Sequence, residues 1–132
     1  MFEGFDNSQY EDEARERWGG TEAYRESARR TAAYGPDEWA EIKSEGDEIT
    51  EAFVALLVAG SPADGAAARA VAERHRRHIS RWFYECPPAV HVGLAEMYMA
   101  DQRFTETYER RSAGLARYVH DAIVASATAV SP

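Results

Sequence analysis

Cysteine and positive charge are both scarce in this chain, and each scarcity excludes something. Its one cysteine, Cys86, rules out an intramolecular disulfide. That leaves a buried thiol packed as a small hydrophobe or an exposed reactive one. Lysine and arginine number 15 against 23 aspartates and glutamates, a formal net charge of −8. A surface so acidic is a poor match for phosphate, so nucleic acid is not an expected partner and this chain alone is not expected to contact DNA. No apolar run approaches the roughly 20 residues that span a bilayer, and no signal-peptide pattern follows Met1. No membrane association is therefore expected, and a cytoplasmic, monomeric chain is the default. No stretch alternates apolar and polar residues as a strand would.

What is present is helical. Residues 1–35 carry Gly4, Gly19, Gly20 and Gly35, much charge and almost no large aliphatic side chain. Their apolar groups are mainly aromatic: Phe2, Phe5, Tyr10, Trp18, Tyr24 and Tyr34. Ser8 can cap a short helix reaching Trp18, and Thr21 a second reaching Tyr34. With little aliphatic surface to hold it, this part is expected to be a mobile helical lid on a core of residues 36–132.

The core opens at Gly35-Pro36, with proline suited to a first helical position. Trp39, Ile42, Ile49, Phe53 and Leu56 recur at helical spacing, predicting a helix over residues 36–59. Within it, Gly46 costs about 1 kcal/mol relative to alanine and permits a bend. A further helix is predicted over 63–84, with Val71, His75, His78, Ile79 and Trp82 on one stripe. Pro87-Pro88 stops the chain and starts a helix to residue 100 carrying Val90, Leu94, Met97 and Tyr98. A short helix over 104–110 and a last one over 113–127 complete an all-α domain of about five main helices plus the lid.

Candidate chemistry gathers between His75 and Phe104. Cys86 sits where the positive end of one helix dipole favours a thiolate and the negative end of another opposes it. His91, five residues on, can face the thiol. His75 and His78 share a face with Trp82. These residues either wall a ligand cleft or are core, with the histidines satisfied by backbone carbonyls. No zinc spacing occurs, since His75 and His78 are three apart, and nothing singles out one of the four histidines for haem. No metal and no cofactor is expected. The basic run Arg74, Arg76, Arg77, Arg81 reads as the wet face opposite the buried stripe.

The order Glu73, His75, Ile79, Tyr84, Cys86, His91, Leu94, Met97-Tyr98, Asp101, Arg103-Phe104 resembles the TipAS family of thiopeptide-antibiotic recognition domains. These are effector-binding parts of MerR-like transcription activators induced by thiostrepton. Phe5-Asp6, Gln9-Tyr10, Arg15-Glu16-Arg17-Trp18-Gly19 and Ala23-Tyr24-Arg25 extend the likeness toward the N-terminus. Gly114-Leu115, Tyr118 and Asp121-Ala122-Ile123 extend it into the last helix. The resemblance implies a globin-like, cofactor-free fold in which N-terminal helices close over a thiazole-rich macrocyclic peptide. It also implies a non-enzymatic role, with Cys86 adding covalently to a dehydroalanine of the drug.

The expected cleft wall is Trp39, Phe53, His75, Trp82, Tyr84, His91, Met97 and Tyr98, flat rings suited to stacking on azoles. The pair Pro87-Pro88 departs from the family pattern and can tilt the thiol. No helix-turn-helix or coiled coil precedes Phe2, so either a domain of a regulator or a stand-alone drug-sequestering protein is expected. Two other classes remain: a Cys86–His91 thiol hydrolase or transferase, and a helical protein-interaction domain.

Overall fold

The computed structural model describes residues 22–130, and the helix expected before Trp18 lies outside them. The described residues form six α-helices: α1 (Glu22–Thr31), α2 (Pro36–Val58), α3 (Ala66–Trp82), α4 (Pro88–Ala100), α5 (Gln102–Arg111) and α6 (Leu115–Val130). The architecture is all-α.

Local chemistry sets the boundaries. Pro36 begins α2, and Glu38 reaches back to accept from the Gly35 N–H at 2.7 Å, holding one of the donors that a helix start leaves open. The helix runs unbroken through Gly46, whose lack of a side chain suits its buried position. It ends at a turn where Gly60 takes φ 77°, a left-handed conformation that favours glycine. Helix α3 begins three residues later than its periodicity suggests. Pro62 to Gly65 form a tight turn instead, with the Gly65 N–H on the Pro62 carbonyl at 3.0 Å. It also ends two residues early, because Phe83 and Tyr84 turn their N–H groups back onto the Ile79 carbonyl. Asp101 caps α5 by accepting from the Arg103 N–H at 3.0 Å.

Helices α4 and α6 pack most extensively, and α3 lies against both α2 and α6. The core joins Ile42, Ile49 and Phe53 of α2 to Val71 and Ile79 of α3 and to Leu94 and Tyr98 of α4. Phe104 and, from α6, Leu115, Val119, Ala122 and Ile123 complete it. The stripe on α3 is buried as its spacing requires, whereas Trp39, at the start of the α2 stripe, keeps 42% of its surface exposed. Helix α1 contributes no buried residue and meets α3 only sparsely. Among the described residues no helix is long and apolar enough to cross a membrane.

Ile123 is fully buried where α6 meets its neighbours. Ile123→Ala is expected to cost about 3 kcal/mol in urea unfolding. Val58→Ala, at a position 75% exposed, should cost well under 1 kcal/mol, about the size of an ordinary surface change.

Candidate functional site

The aromatic residues singled out from the sequence fall into two layers. Tyr34, in the turn after α1, stands edge-on to both Trp39 and Trp82, at 5.7 and 5.6 Å between centroids. Trp39 lies 6.5 Å from Phe83, and the Arg81 guanidinium sits 4.4 Å over the Trp82 ring. This outer group joins α1, α2 and the end of α3. Beneath it, His75, His91 and Tyr98 form a buried inner group between α3 and α4, with Tyr98 in turn against Phe104 and Tyr108. Phe53 packs on Tyr118 at the α6 side. Tyr84 is buried in the segment between α3 and α4, and Met97 is half-buried on α4. The structure therefore brings Trp39 and Trp82 together and His75, His91 and Tyr98 together, while Phe53 stands on another side of the core.

Each of the four histidines has a side-chain partner on at least one ring nitrogen. His75 Nδ1 and His91 Nε2 lie 2.7 Å apart with their rings stacked at 5.0 Å, so one imidazole donates to the other and both are neutral. Burial lowers the His91 pKa to about 4, and the nearby charge of Arg76 adds to the effect. Burial and the neighbouring His91 hold His75 well below its ordinary value. His78 Nδ1 meets Glu45 Oε1 at 2.5 Å. The same oxygen accepts from the Trp82 indole N–H at 3.1 Å, and Arg81 Nη1 approaches the other carboxylate oxygen at 3.3 Å. Burial works against the charge on Glu45, yet the bonds from His78 and Trp82 and the charge of Arg81 hold it below the usual glutamate value. His120 bridges Asp121 at 2.8 Å and Glu96 at 3.2 Å, away from this group.

Cys86 is fully buried, and burial pushes its thiol up to about 12 against the opposing pull of Arg76. Its backbone is held at both ends by α3. The Cys86 N–H donates to Ser80 Oγ at 3.0 Å, and Arg76 Nη1 donates to the Cys86 carbonyl at 2.9 Å. Arg76 is itself paired with Glu73. The ring partner of His91 Nε2 is His75 Nδ1, an imidazole pair that the five-residue spacing to Cys86 did not suggest. Among the basic run, Arg77 and Arg81 are solvated as expected, but Arg76 is tied down.

Sequence reading missed Glu45, Arg76 and Ser80. Only Glu45 left a trace: it lies on the apolar stripe of α2 between Ile42 and Ile49, where a carboxylate needs a partner. Among the described residues no group of three His, Cys, Asp or Glu side chains is gathered to hold a metal ion.

Comparison with known proteins gives a consistent picture. The family described as the TipAS antibiotic-recognition domain matches residues 10–126. The HTH-type transcriptional activators TipA of Streptomyces coelicolor and Streptomyces lividans are each 48% identical over the whole chain, which covers 52% of their length. The HTH-type activator mta of Bacillus subtilis is 35% identical over 87% of the chain and 44% of its own length. The chain thus spans about half the length of the curated relatives it matches. A solved complex of nosiheptide with TipAS from Streptomyces lividans superposes with a TM-score of 0.92 at 48% identity, covering 99% of this chain and 92% of that one. The antibiotic-binding domain of a TipA-class multidrug resistance regulator gives 0.64 at 46% identity, over 69% and 97% of the two chains.

Two outcomes follow from the buried polar groups. His91 has a folded pKa near 4, below its unfolded value near 6.5, so its neutral form is worth stability above pH 6.5 that is lost as the pH falls. Unfolding free energy should drop by on the order of 3 kcal/mol between pH 6.5 and 4 from this residue, and His91→Leu should flatten that slope. In the second case, Glu45→Ala removes the acceptor shared by His78 and Trp82. It should cost about 2 kcal/mol in urea unfolding and shift the tryptophan emission, with Glu45→Gln costing less.

Proposed function

The chain belongs to the TipAS antibiotic-recognition domain family, and from that premise we propose that it binds a thiopeptide antibiotic in a helical cleft. The observation that carries this reading is the TM-score of 0.92, at 48% identity, to a TipAS solved with nosiheptide bound. The aromatic side chains support it physically. Trp39 and Met97 keep accessible surface, and Trp39 shares the Tyr34 ring with Trp82, offering flat and polarisable faces to thiazole rings, with Tyr84 buried nearby in sequence. His75, His91 and Tyr98 form a packed, buried group between α3 and α4, while Phe53, first expected in the wall, packs on Tyr118 at the α6 side. Residues 1–35 act as the lid over this cleft and residues 36–132 as the core.

The role of the domain is recognition: it captures the drug for a longer transcription regulator, or sequesters it. TipA is a transcriptional activator, and this chain matches about half of it. The thiol hydrolase reading finds no support, since the Cys86 thiol is fully buried and burial keeps it protonated.

Covalent trapping at Cys86 is the finer part of the proposal. The thiol loses its proton, Sγ bonds to the terminal carbon of a dehydroalanine, and the double-bond pair moves to the α-carbon, which takes up a proton. The sum is addition of S–H across C=C, with no leaving group. A thiol buried and held up to about 12 cannot react as it stands, so the segment around Cys86 must loosen first.

Titration with nosiheptide, followed by tryptophan fluorescence, should give a saturable change at one drug per chain, and Trp39→Ala should weaken it about tenfold. No saturable change would remove the binding proposal. Intact-mass measurement after incubation with thiostrepton should show a gain of one drug in the natural chain and none in Cys86→Ala. No gain in the natural chain would leave binding reversible.

A further inference from the structure

Helix α3 ends without a glycine. Phe83 closes it at φ −118° and ψ −62°, so no left-handed residue folds the chain back over the last carbonyls. Those carbonyls need partners, and two come from the other end of the described chain. Arg30 Nη1 donates to the Ser80 carbonyl at 2.7 Å, and the Tyr34 hydroxyl donates to the Trp82 carbonyl at 2.5 Å. The Ile79 carbonyl takes the Phe83 and Tyr84 N–H groups. Arg30, braced by Glu26 at 2.6 Å, also places a cation at the negative end of the α3 dipole. Helix α1 buries no residue fully, and these two polar contacts and the rings around Tyr34 join Ala23, half-buried against the core, in seating it.

Ser80 belongs to both halves of this arrangement. Its carbonyl is held by Arg30 of α1, and its hydroxyl accepts the Cys86 N–H. We infer that Arg30 and Tyr34 are positioning residues that couple the seating of α1 to the burial of Cys86, by capping the turn of α3 from which residues 83–87 hang. With α1 seated, the end of α3 is capped and Cys86 is held inside. With α1 lifted, the Ser80 and Trp82 carbonyls turn to water, the last turn of α3 frays, and the Cys86 amide loses its fixed acceptor. This deepens, and rests on, the reading of Cys86 as the attachment point: access to the thiol is set by whether Arg30 and Tyr34 cap the end of α3.

The coupling is measurable without any antibiotic. The probe is iodoacetamide, small and neutral, and the readout is the rate of Cys86 alkylation in the full chain by intact mass. Tyr34→Phe and Arg30→Ala should each raise the rate about fivefold, the size of one ordinary hydrogen bond. Ser80→Ala should raise it similarly, and adding Arg30→Ala to it should raise it by clearly less than a further fivefold, because both act through one residue. Val119→Ala, in the α6 core, lowers global stability and should leave the native rate unchanged. Rates for Tyr34→Phe and Arg30→Ala equal to that of the natural chain would overturn the coupling. So would an equal rise in Val119→Ala, which would mean that the thiol is reached by global unfolding. Failure of nosiheptide to bind would remove the functional reading and leave this result standing.

Discussion

Helix α3 carries polar groups on its buried stripe and ends in carbonyls that its own last turn does not cover, and α2, α4 and the segment of α1 and Tyr34 supply what it lacks. Glu45 of α2 takes the imidazole of His78 and the indole of Trp82. His91 of α4 takes His75. Arg30 and Tyr34, in and after α1, take the carbonyls of Ser80 and Trp82. A buried polar group left without a partner costs roughly 1–3 kcal/mol, more than the net gain from a satisfied one. These pairings therefore act more by excluding alternative arrangements than by adding stability. They fix which face of each helix turns toward α3, and so where the aromatic rings stand.

The same constraint sets the chemical character of the region. Burial lowers the basicity of both His75 and His91, and it keeps the Cys86 thiol protonated. In the resting arrangement the thiol is buried and protonated, and so is not activated as a nucleophile. Arg76 is the one nearby cation that favours the thiolate, and its guanidinium is engaged with Glu73 and with the Cys86 carbonyl. Any reactivity of this cysteine is therefore tied to movement of residues 83–87. A recognition domain gains from that arrangement, since a permanently exposed thiolate would react with whatever electrophile arrived first.

Much of this fold was legible in the sequence, and the limits are instructive. Helical spacing placed α2 and α4 closely, because Gly35-Pro36 and Pro87-Pro88 mark their starts with residues whose backbone preferences act locally. The order of residues from Glu73 to Phe104 identified the family. What spacing could not supply was which side chain on one helix answers which on another. His75 and His91 are 16 residues apart and Glu45 and His78 are 33 apart, separations over which periodicity says nothing. Arg76 was hidden inside a basic run whose other members are solvated. Arg30 and Tyr34 lie in a stretch poor in aliphatic residues, and a search for apolar stripes passes over contacts made by a guanidinium and a hydroxyl. The short turn at Pro62–Gly65 and the early end of α3 were also beyond it, because both follow from backbone hydrogen bonds at loop residues.

The central claim is that a thiopeptide is held between the aromatic group of α1, α2 and the end of α3. Amide hydrogen exchange of the full chain, with and without saturating nosiheptide, tests it most directly. The account predicts new protection concentrated at residues 30–39 and 78–86, with the α4–α6 core unchanged. Protection confined to the acidic outer face of α2, residues 43–51, or spread evenly over the molecule would contradict it.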